Sequence, residues 1–201
     1  MRRLALLGIL GVVGVALWWR KNPSACPYSQ RFWVQAPHPL ITRERLRRVL
    51  EPTRGERVLE IGPGTGYYTL DMAAWVGPDG EIEIFDIQRE MLDHTMRRAS
   101  EQGAANVNPT EGDARDLPFE DDSFDAVALT TVLGEIPDQE AALREIARVL
   151  RPGGRLVVGE LAGDPHFVTP GSLERRGAAA GLQVVRRDGP WLGYFARLEG
   201  R

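Results

Sequence analysis

The chain has 201 residues, 43% of them apolar and 26% charged, enough for one ordinary globular domain and an appendage. A net charge of −3 without a dominant basic block argues against nucleic-acid binding. One cysteine, Cys26, and three scattered histidines, His38, His94 and His166, rule out an intramolecular disulfide and show no metal-ligand spacing, so no metal is expected.

In chain order, the first element is an apolar run. Residues 4–19, LALLGILGVVGVALWW, are flanked by Arg2-Arg3 and Arg20-Lys21. As a helix rising about 1.5 Å per residue the run spans roughly 24 Å, short of the ~30 Å hydrocarbon core. Trp18 and Trp19 stand where an interfacial aromatic belt would be, and the flanking arginines can snorkel. The expectation is an uncleaved membrane anchor helix over residues 1–21. A cleaved signal peptide and a buried soluble helix are the alternatives.

Residues 22–41, NPSACPYSQRFWVQAPHPLI, carry four prolines and read as a linker or irregular cap. From there one domain, 42–201, is expected. ITRERLRRVLEP puts Leu46, Val49 and Leu50 on one helical face and ends at Pro52. Strand and helix signals then alternate. RVLEIG, EIEIFD, a weak strand at 106–111, FDAVALT and RLVVGELA are the strands; Pro109 is tolerable only at a sheet edge. YYTLDMAAWV, QREMLDHTMRRASEQG and DQEAALREIARVLRPGG are the intervening helices, the last stopped by Pro152-Gly153-Gly154. TPGSLERRGAAAGL starts on Thr169 with Pro170 in its first turn, and LQVVRRDGPWLGYFARLEG is a hairpin around Asp188-Gly189-Pro190. Such alternation predicts an α/β fold: a mostly parallel sheet covered by helices on both faces, with an antiparallel strand at its end.

VLEIGPGTG, residues 58–66, places Gly62, Gly64 and Gly66 between a strand and the following helix. Such a loop either binds a ligand through its backbone or is simply a tight turn. The dinucleotide fingerprint would need glycine where Tyr67 stands. Glu60 ends the strand, and a carboxylate there repels a pyrophosphate: like charges ~4 Å apart cost on the order of 4 kcal/mol at an effective dielectric near 20. The same charge favours a cationic ligand.

Four ordered motifs carry a family likeness: VLEIGPGTG, Asp86 within FDIQREML, GDARDLPFEDDSFDAV and REIARVLRPGGRLVV. Together they resemble the class I S-adenosylmethionine-dependent methyltransferases of the small-molecule and lipid type, similar to ubiquinone/menaquinone C-methyltransferases and phosphatidylethanolamine N-methyltransferases. The likeness runs from about Arg45 to the C-terminus. It implies a Rossmann-like seven-stranded sheet with the last strand antiparallel, and S-adenosylmethionine as cofactor. It also implies residue roles. Glu60 and the loop Gly62-Pro63-Gly64-Thr65-Gly66 would hold the methionine end. Asp86 would take both ribose hydroxyls and Ile87 would pack on adenine. Asp113, in Gly112-Asp113-Ala114, would accept from the adenine amino group, and Thr130 would line the transfer site.

The acceptor side is less defined. The Asn/Asp-Pro-Pro-Tyr-like run of nucleic-acid amino-methyltransferases is missing from TTVLGEIPD, residues 130–138. Glu135 and His166 are candidate bases, and Glu135 could instead attract a cationic substrate; a loop or cap charge and a plain loop histidine are the competing readings. Tyr28, Phe32 and Trp33 could close over an apolar substrate, pack on the sheet, or sit at a membrane. With the anchor, these features predict methyl transfer to an apolar or amphipathic small molecule or lipid at the membrane surface. The catalytic domain is expected on the cytoplasmic face, where the cofactor is made. A tethered cofactor-binding module without catalysis and a nicotinamide-dependent oxidoreductase are the alternatives.

Overall fold

The computed structural model describes residues 23–30, 32 and 38–200. The expected anchor over 1–21 and Trp33 lie outside the described residues. Among the described residues no helix is long and apolar enough to cross a membrane.

Helix α1, Arg43–Leu50, starts on Thr42, whose Oγ1 accepts from the Arg45 N–H at 3.3 Å, and it buries Leu46, Val49 and Leu50. It stops at Glu51, left-handed at φ 50°, because Pro52 disfavours the helical conformation for the residue before it. Next come β1 (Arg57–Ile61), α2 (Thr69–Val76), β2 (Glu81–Asp86), α3 (Arg89–Glu101), β3 (Val107–Glu111) and β4 (Phe124–Thr130). The chain ends with α4 (Gln139–Val149), β5 (Leu150–Leu161), α5 (Pro170–Ala179), β6 (Leu182–Asp188) and β7 (Gly193–Gly200).

The seven strands form one sheet in the order β3-β2-β1-β4-β5-β7-β6. Six point one way; β7 runs antiparallel between β5 and β6. β3 is the edge strand that Pro109 demands, with Pro109 opposite Ile84. Period-two alternation sorts the core into two layers. Leu59, Val127 and Val158 pack with α4 and α5 on one face. Val58, Ala126 and Val157 pack with α1, α2 and α3 on the other.

One boundary departs from expectation. The helix over 138–154 ends at Val149, and Leu150 is already extended at φ −75°, ψ 131°. Strand β5 starts there, and Arg151–Gly154 bulge out between the pairs Phe124–Leu150 and Ala126–Arg155. Leu150 follows Ile146 by four residues, so its apolar side chain looks helical in sequence while it seals the sheet.

The parallel strands all deliver their carboxyl ends to one edge, where a doubly wound sheet binds its ligand. The opposite edge is closed by Arg155, buried against Glu56 at 2.6 Å and bonded to the Leu50 carbonyl.

Candidate functional site

A cavity of about 960 Å³ opens along the carboxyl edge. This is near the upper end of the roughly 300–1,000 Å³ typical of small-molecule sites, leaving room for two reactants.

At the end of β1 the chain needs three left-handed residues in five, and glycine supplies them: φ is 68° at Gly62, 57° at Gly64 and 76° at Gly66. A Cβ at Gly62 would stand 2.3 Å from Val132 Cγ2, so the loop from β4 rests directly on this backbone. Helix α3 clamps the turn, through Thr95 Oγ1 donating to Gly64 O at 3.2 Å and Arg98 Nη1 donating to Thr65 O. Gly62 and Gly64 line the cavity; Glu60, Pro63, Thr65 and Gly66 do not. Thr65 Oγ1 is buried without a hydrogen-bond partner.

Glu60, expected to hold the methionine end together with the loop, does not face the cavity. Strand alternation turns it away from Leu59 and Ile61 and under the loop, where Thr69 Oγ1 donates to its carboxylate. Burial raises its pKa to about 7.

Asp86 ends β2 on the cavity wall, with Oδ1 accepting from the Gln88 N–H at 2.8 Å. Burial raises its pKa to about 6. Ile87 beside it lines the cavity and stays 57% exposed, a flat apolar surface offered to a ligand. Gly112, Asp113 and Ala114, after β3, also line it. Asp113 is already engaged: Arg115 Nη2 meets Oδ2 at 2.6 Å, and this bonding holds the Asp113 carboxyl below its ordinary range. Gly112 has a steric reason, since a Cβ there would meet Phe85 Cζ at 2.6 Å.

Thr130, Thr131 and Val132 carry the wall to Glu135, within the short 3-10 turn Leu133–Glu135. Glu135 is half-buried, and its Oε2 accepts from the Cys26 N–H at 3.2 Å. Burial, then the nearby charges of Asp164 and Asp86, push its carboxyl up to about 8. His166 also lines the cavity and is 8% exposed, and its backbone N–H donates to Asp164 Oδ1 at 2.6 Å. The 163–168 loop is pinned from below. Glu160 Oε2 accepts from the Val168 N–H at 3.0 Å, and the Tyr194 hydroxyl donates to Val168 O at 2.7 Å.

The cap closes the remaining side. Ser24, Ala25, Cys26 and Gln30 line the cavity. Gln88 Nε2 donates to Cys26 O at 2.9 Å while Gln88 Oε1 accepts from the Tyr28 N–H at 3.1 Å. With the Cys26–Glu135 bond, the strap is tied to the ends of both β2 and β4. Tyr28 reaches His94 (3.2 Å from its hydroxyl to Nδ1), and Phe32 is 72% exposed.

Four contributors were not singled out in sequence: Asp164, Gln88, Cys26 and Gly134. Asp164 could have been found, as a carboxylate just past the carboxyl end of β5, as Asp86 ends β2. Nothing in residue spacing announces the other three.

The arrangement fits a cationic adenosyl ligand. Asp86, Glu135 and Asp164 face one cavity, while the arginine on its wall is taken up by Asp113. A bound positive charge would relieve the mutual repulsion of these carboxylates, whereas a diphosphate would add to it.

The sequence model of the ubiE/COQ5 methyltransferase family matches residues 37–168. The ubiquinone/menaquinone biosynthesis C-methyltransferase UbiE of Ectopseudomonas mendocina (strain ymp) is 44% identical over 109 residues, covering 54% of this chain and 43% of that protein. The demethylmenaquinone methyltransferase of Staphylococcus aureus (strain JH9) is 37% identical over 117 residues, covering 58% and 48%. The matches thus span under half the length of these relatives. Among solved structures, a SAM dependent methyltransferase from Aquifex aeolicus superposes with TM-score 0.79 at 19% identity, over 87% of this chain and 98% of that one. The [4+2]-cyclase SpnF superposes with TM-score 0.66 at 25% identity, over 73% and 57%. Fold alone therefore does not name the chemistry; the site has to.

Proposed function

Because this chain belongs to the ubiE/COQ5 methyltransferase family, we propose that it transfers a methyl group from S-adenosylmethionine to a ring carbon of a quinone-type, amphipathic acceptor. The observation that carries the reading is the set of carboxylates Asp86, Glu135 and Asp164 on the wall of one cavity beside the Gly62–Gly66 turn. The acceptor class comes from the relatives and from the apolar wall formed by Ile61, Phe85, Met91, Val132, Ile136 and Leu161.

When bound, S-adenosylmethionine supplies a methyl group already activated by its sulfonium. The protein's work is then alignment, which can be worth ~7–11 kcal/mol. Gly62 and Gly64 would admit the methionine end, Asp86 would accept from the ribose hydroxyls, and Ile87 would pack on the adenine face. Methyl transfer would leave the sulfur as a neutral thioether, so a ring carbon that accepts the methyl group would have to give up its proton. Glu135 would take it, its proton affinity kept high by burial and then by the charge of Asp164.

A calorimetric titration with S-adenosylhomocysteine and with NAD tests the cofactor; binding of the dinucleotide alone would overturn the reading. Labelled-methyl transfer to a demethylmenaquinone-type ring tests the reaction and separates an enzyme from a module that only binds. Asp86→Asn keeps the turn that Asp86 Oδ1 makes with Gln88 but loses a charged acceptor. It is expected to weaken S-adenosylhomocysteine binding about tenfold to a hundredfold, read in the same calorimeter.

The apolar run at 4–19 supports a location as well. We place the catalytic domain at the cytoplasmic face of a membrane, where lipid-soluble acceptors concentrate. Labelled methyl appearing only in polar metabolites of a whole-cell extract would remove this part.

A further inference from the structure

Among the described residues, five large apolar side chains remain exposed: Phe32, Ile87, Val185, Trp191 and Leu192. In the proposed reaction adenine covers Ile87, and Val185 lies on the edge strand β6. Trp191 and Leu192 have no such account. Trp191 and Leu192 form the tip of the β6–β7 hairpin, 66% and 42% exposed. Turns usually select glycine, asparagine and aspartate; here Asp188-Gly189-Pro190 make the turn and two bulky apolar residues follow.

The position of that tip is informative. Gly193 pairs with Leu161, the last residue of β5, and Leu192 O accepts from the Ala162 N–H at 2.8 Å. Leu161 and Gly163 both line the cavity. Trp191 and Leu192 therefore stand at the carboxyl edge, next to the strand end that lines the cavity. Phe32 follows Gln30, another lining residue, by two positions. Tryptophan favours the boundary between hydrocarbon and water, where its ring is buried and its N–H stays solvated.

The chain before the cap bears on the same edge. Pro23 borders a smaller cavity together with Gly134, Pro137 and His166, beside the main one. The apolar run ends at Trp19, four residues earlier, a reach of at most about 14 Å. A bilayer that takes up residues 4–19 therefore lies within that distance of Pro23, at the same carboxyl edge of the sheet.

We propose that the carboxyl edge of the sheet is a lipid-docking face. Trp191 and Leu192 enter the headgroup boundary, the cavity mouth opens toward the bilayer, and an amphipathic acceptor reaches Glu135 without crossing bulk water. The proposal rests on the lipid-soluble acceptor of the preceding section, but its test needs no turnover.

An environment-sensitive fluorophore is attached to the full chain at Leu192→Cys, or at Asp79→Cys in the turn before β2 on the opposite edge, both in a Cys26→Ser background. The probe is a phosphatidylcholine and phosphatidylglycerol vesicle containing brominated lipid. At position 192 the emission is expected to shift to the blue and to be quenched about twofold by the bromines, while position 79 stays aqueous. The difference in tryptophan emission between wild type and Trp191→Phe gives the same reading without a label. If position 192 stays aqueous with vesicles, or both positions respond alike, the docking face is wrong. A lipid-independent blue shift that grows with protein concentration would assign the patch to a second copy of the chain, and also overturns it. Methyl transfer measured separately fails or succeeds independently of these signals.

Discussion

Gly134→Ala is expected to lower the melting temperature by roughly 2–12 °C and to weaken ligand binding in the cavity. An added Cβ at this position would stand 1.8 Å from the carbonyl oxygen of His166 and 2.7 Å from its carbonyl carbon. Both are backbone atoms, so no rotamer change relieves the clash. Overpacking of this kind typically costs about 1–3 kcal/mol, and in a chain of this size each kcal/mol shifts the midpoint by about 2–4 °C. The 163–168 loop resists retreat because Glu160 and Tyr194 hold Val168 from the sheet side. If the loop does yield, it carries Asp164 and His166 away from the cavity wall. Gly163→Ala is the stability control, since a Cβ there meets nothing within 4 Å. Differential scanning fluorimetry and a titration with S-adenosylhomocysteine read both effects. A Gly134→Ala protein with unchanged midpoint and affinity would mean that the two loops do not touch as described.

The contrast between Gly134 and Gly62 shows what kind of information the sequence holds. Gly62, Gly64 and Gly66 repeat at alternate positions after a strand, so their left-handed backbone could be expected from local pattern. Gly134 has no such pattern; its need for a hydrogen in place of a side chain comes from a loop more than thirty residues away. The same division runs through the fold. Alternation of apolar residues along strands, Pro109 at an edge, Thr169 as a cap and the final hairpin are local facts, and the structure bears them out. The boundary at Leu150 failed because one apolar side chain satisfies a helical period and a strand at once. The placement of Glu60 was accessible in principle: with Leu59 and Ile61 on one face, alternation puts the carboxylate on the other, beneath α2 and beside Thr69. The strap from Cys26 to Gln88 and Glu135 was not, because side chain to backbone bonds over 62 and 109 residues leave no periodic trace.

Glu135→Gln is expected to reduce turnover by about 10²- to 10⁴-fold, the range of a lost general base, while making the empty protein more stable at alkaline pH. The amide keeps the shape of the side chain and an oxygen that can accept from the Cys26 N–H, so the strap stays tied. What disappears is titration. In the folded, empty protein Glu135 holds its proton until about pH 8, because burial and the neighbouring Asp164 and Asp86 disfavour its charge; unfolded, it releases the proton near 4.5. Between these values the folded state binds more protons than the unfolded state, so raising the pH costs stability, at about 1.4 kcal/mol per pH unit at most for one group. The contribution is fully present below about pH 4.5 and gone above about pH 8. Asp86, raised to about 6 by burial, adds a slope of the same sign at lower pH that the variant retains. The wild-type midpoint should therefore fall from pH 5 to pH 8 more steeply than that of Glu135→Gln. Adding S-adenosylmethionine should flatten the wild-type curve, since a cation beside the carboxylates favours their charged forms and binds better as they ionise. By the same coupling, turnover in the wild type should rise with pH along a limb centred below about 8, and the limb should be missing from the residual activity of the variant. Fluorimetry across pH and labelled-methyl rates across pH supply the two curves. Parallel midpoint curves for the two proteins, or a variant within about threefold of wild-type turnover, would remove Glu135 from the proton's path and leave it only its hydrogen bond to the strap.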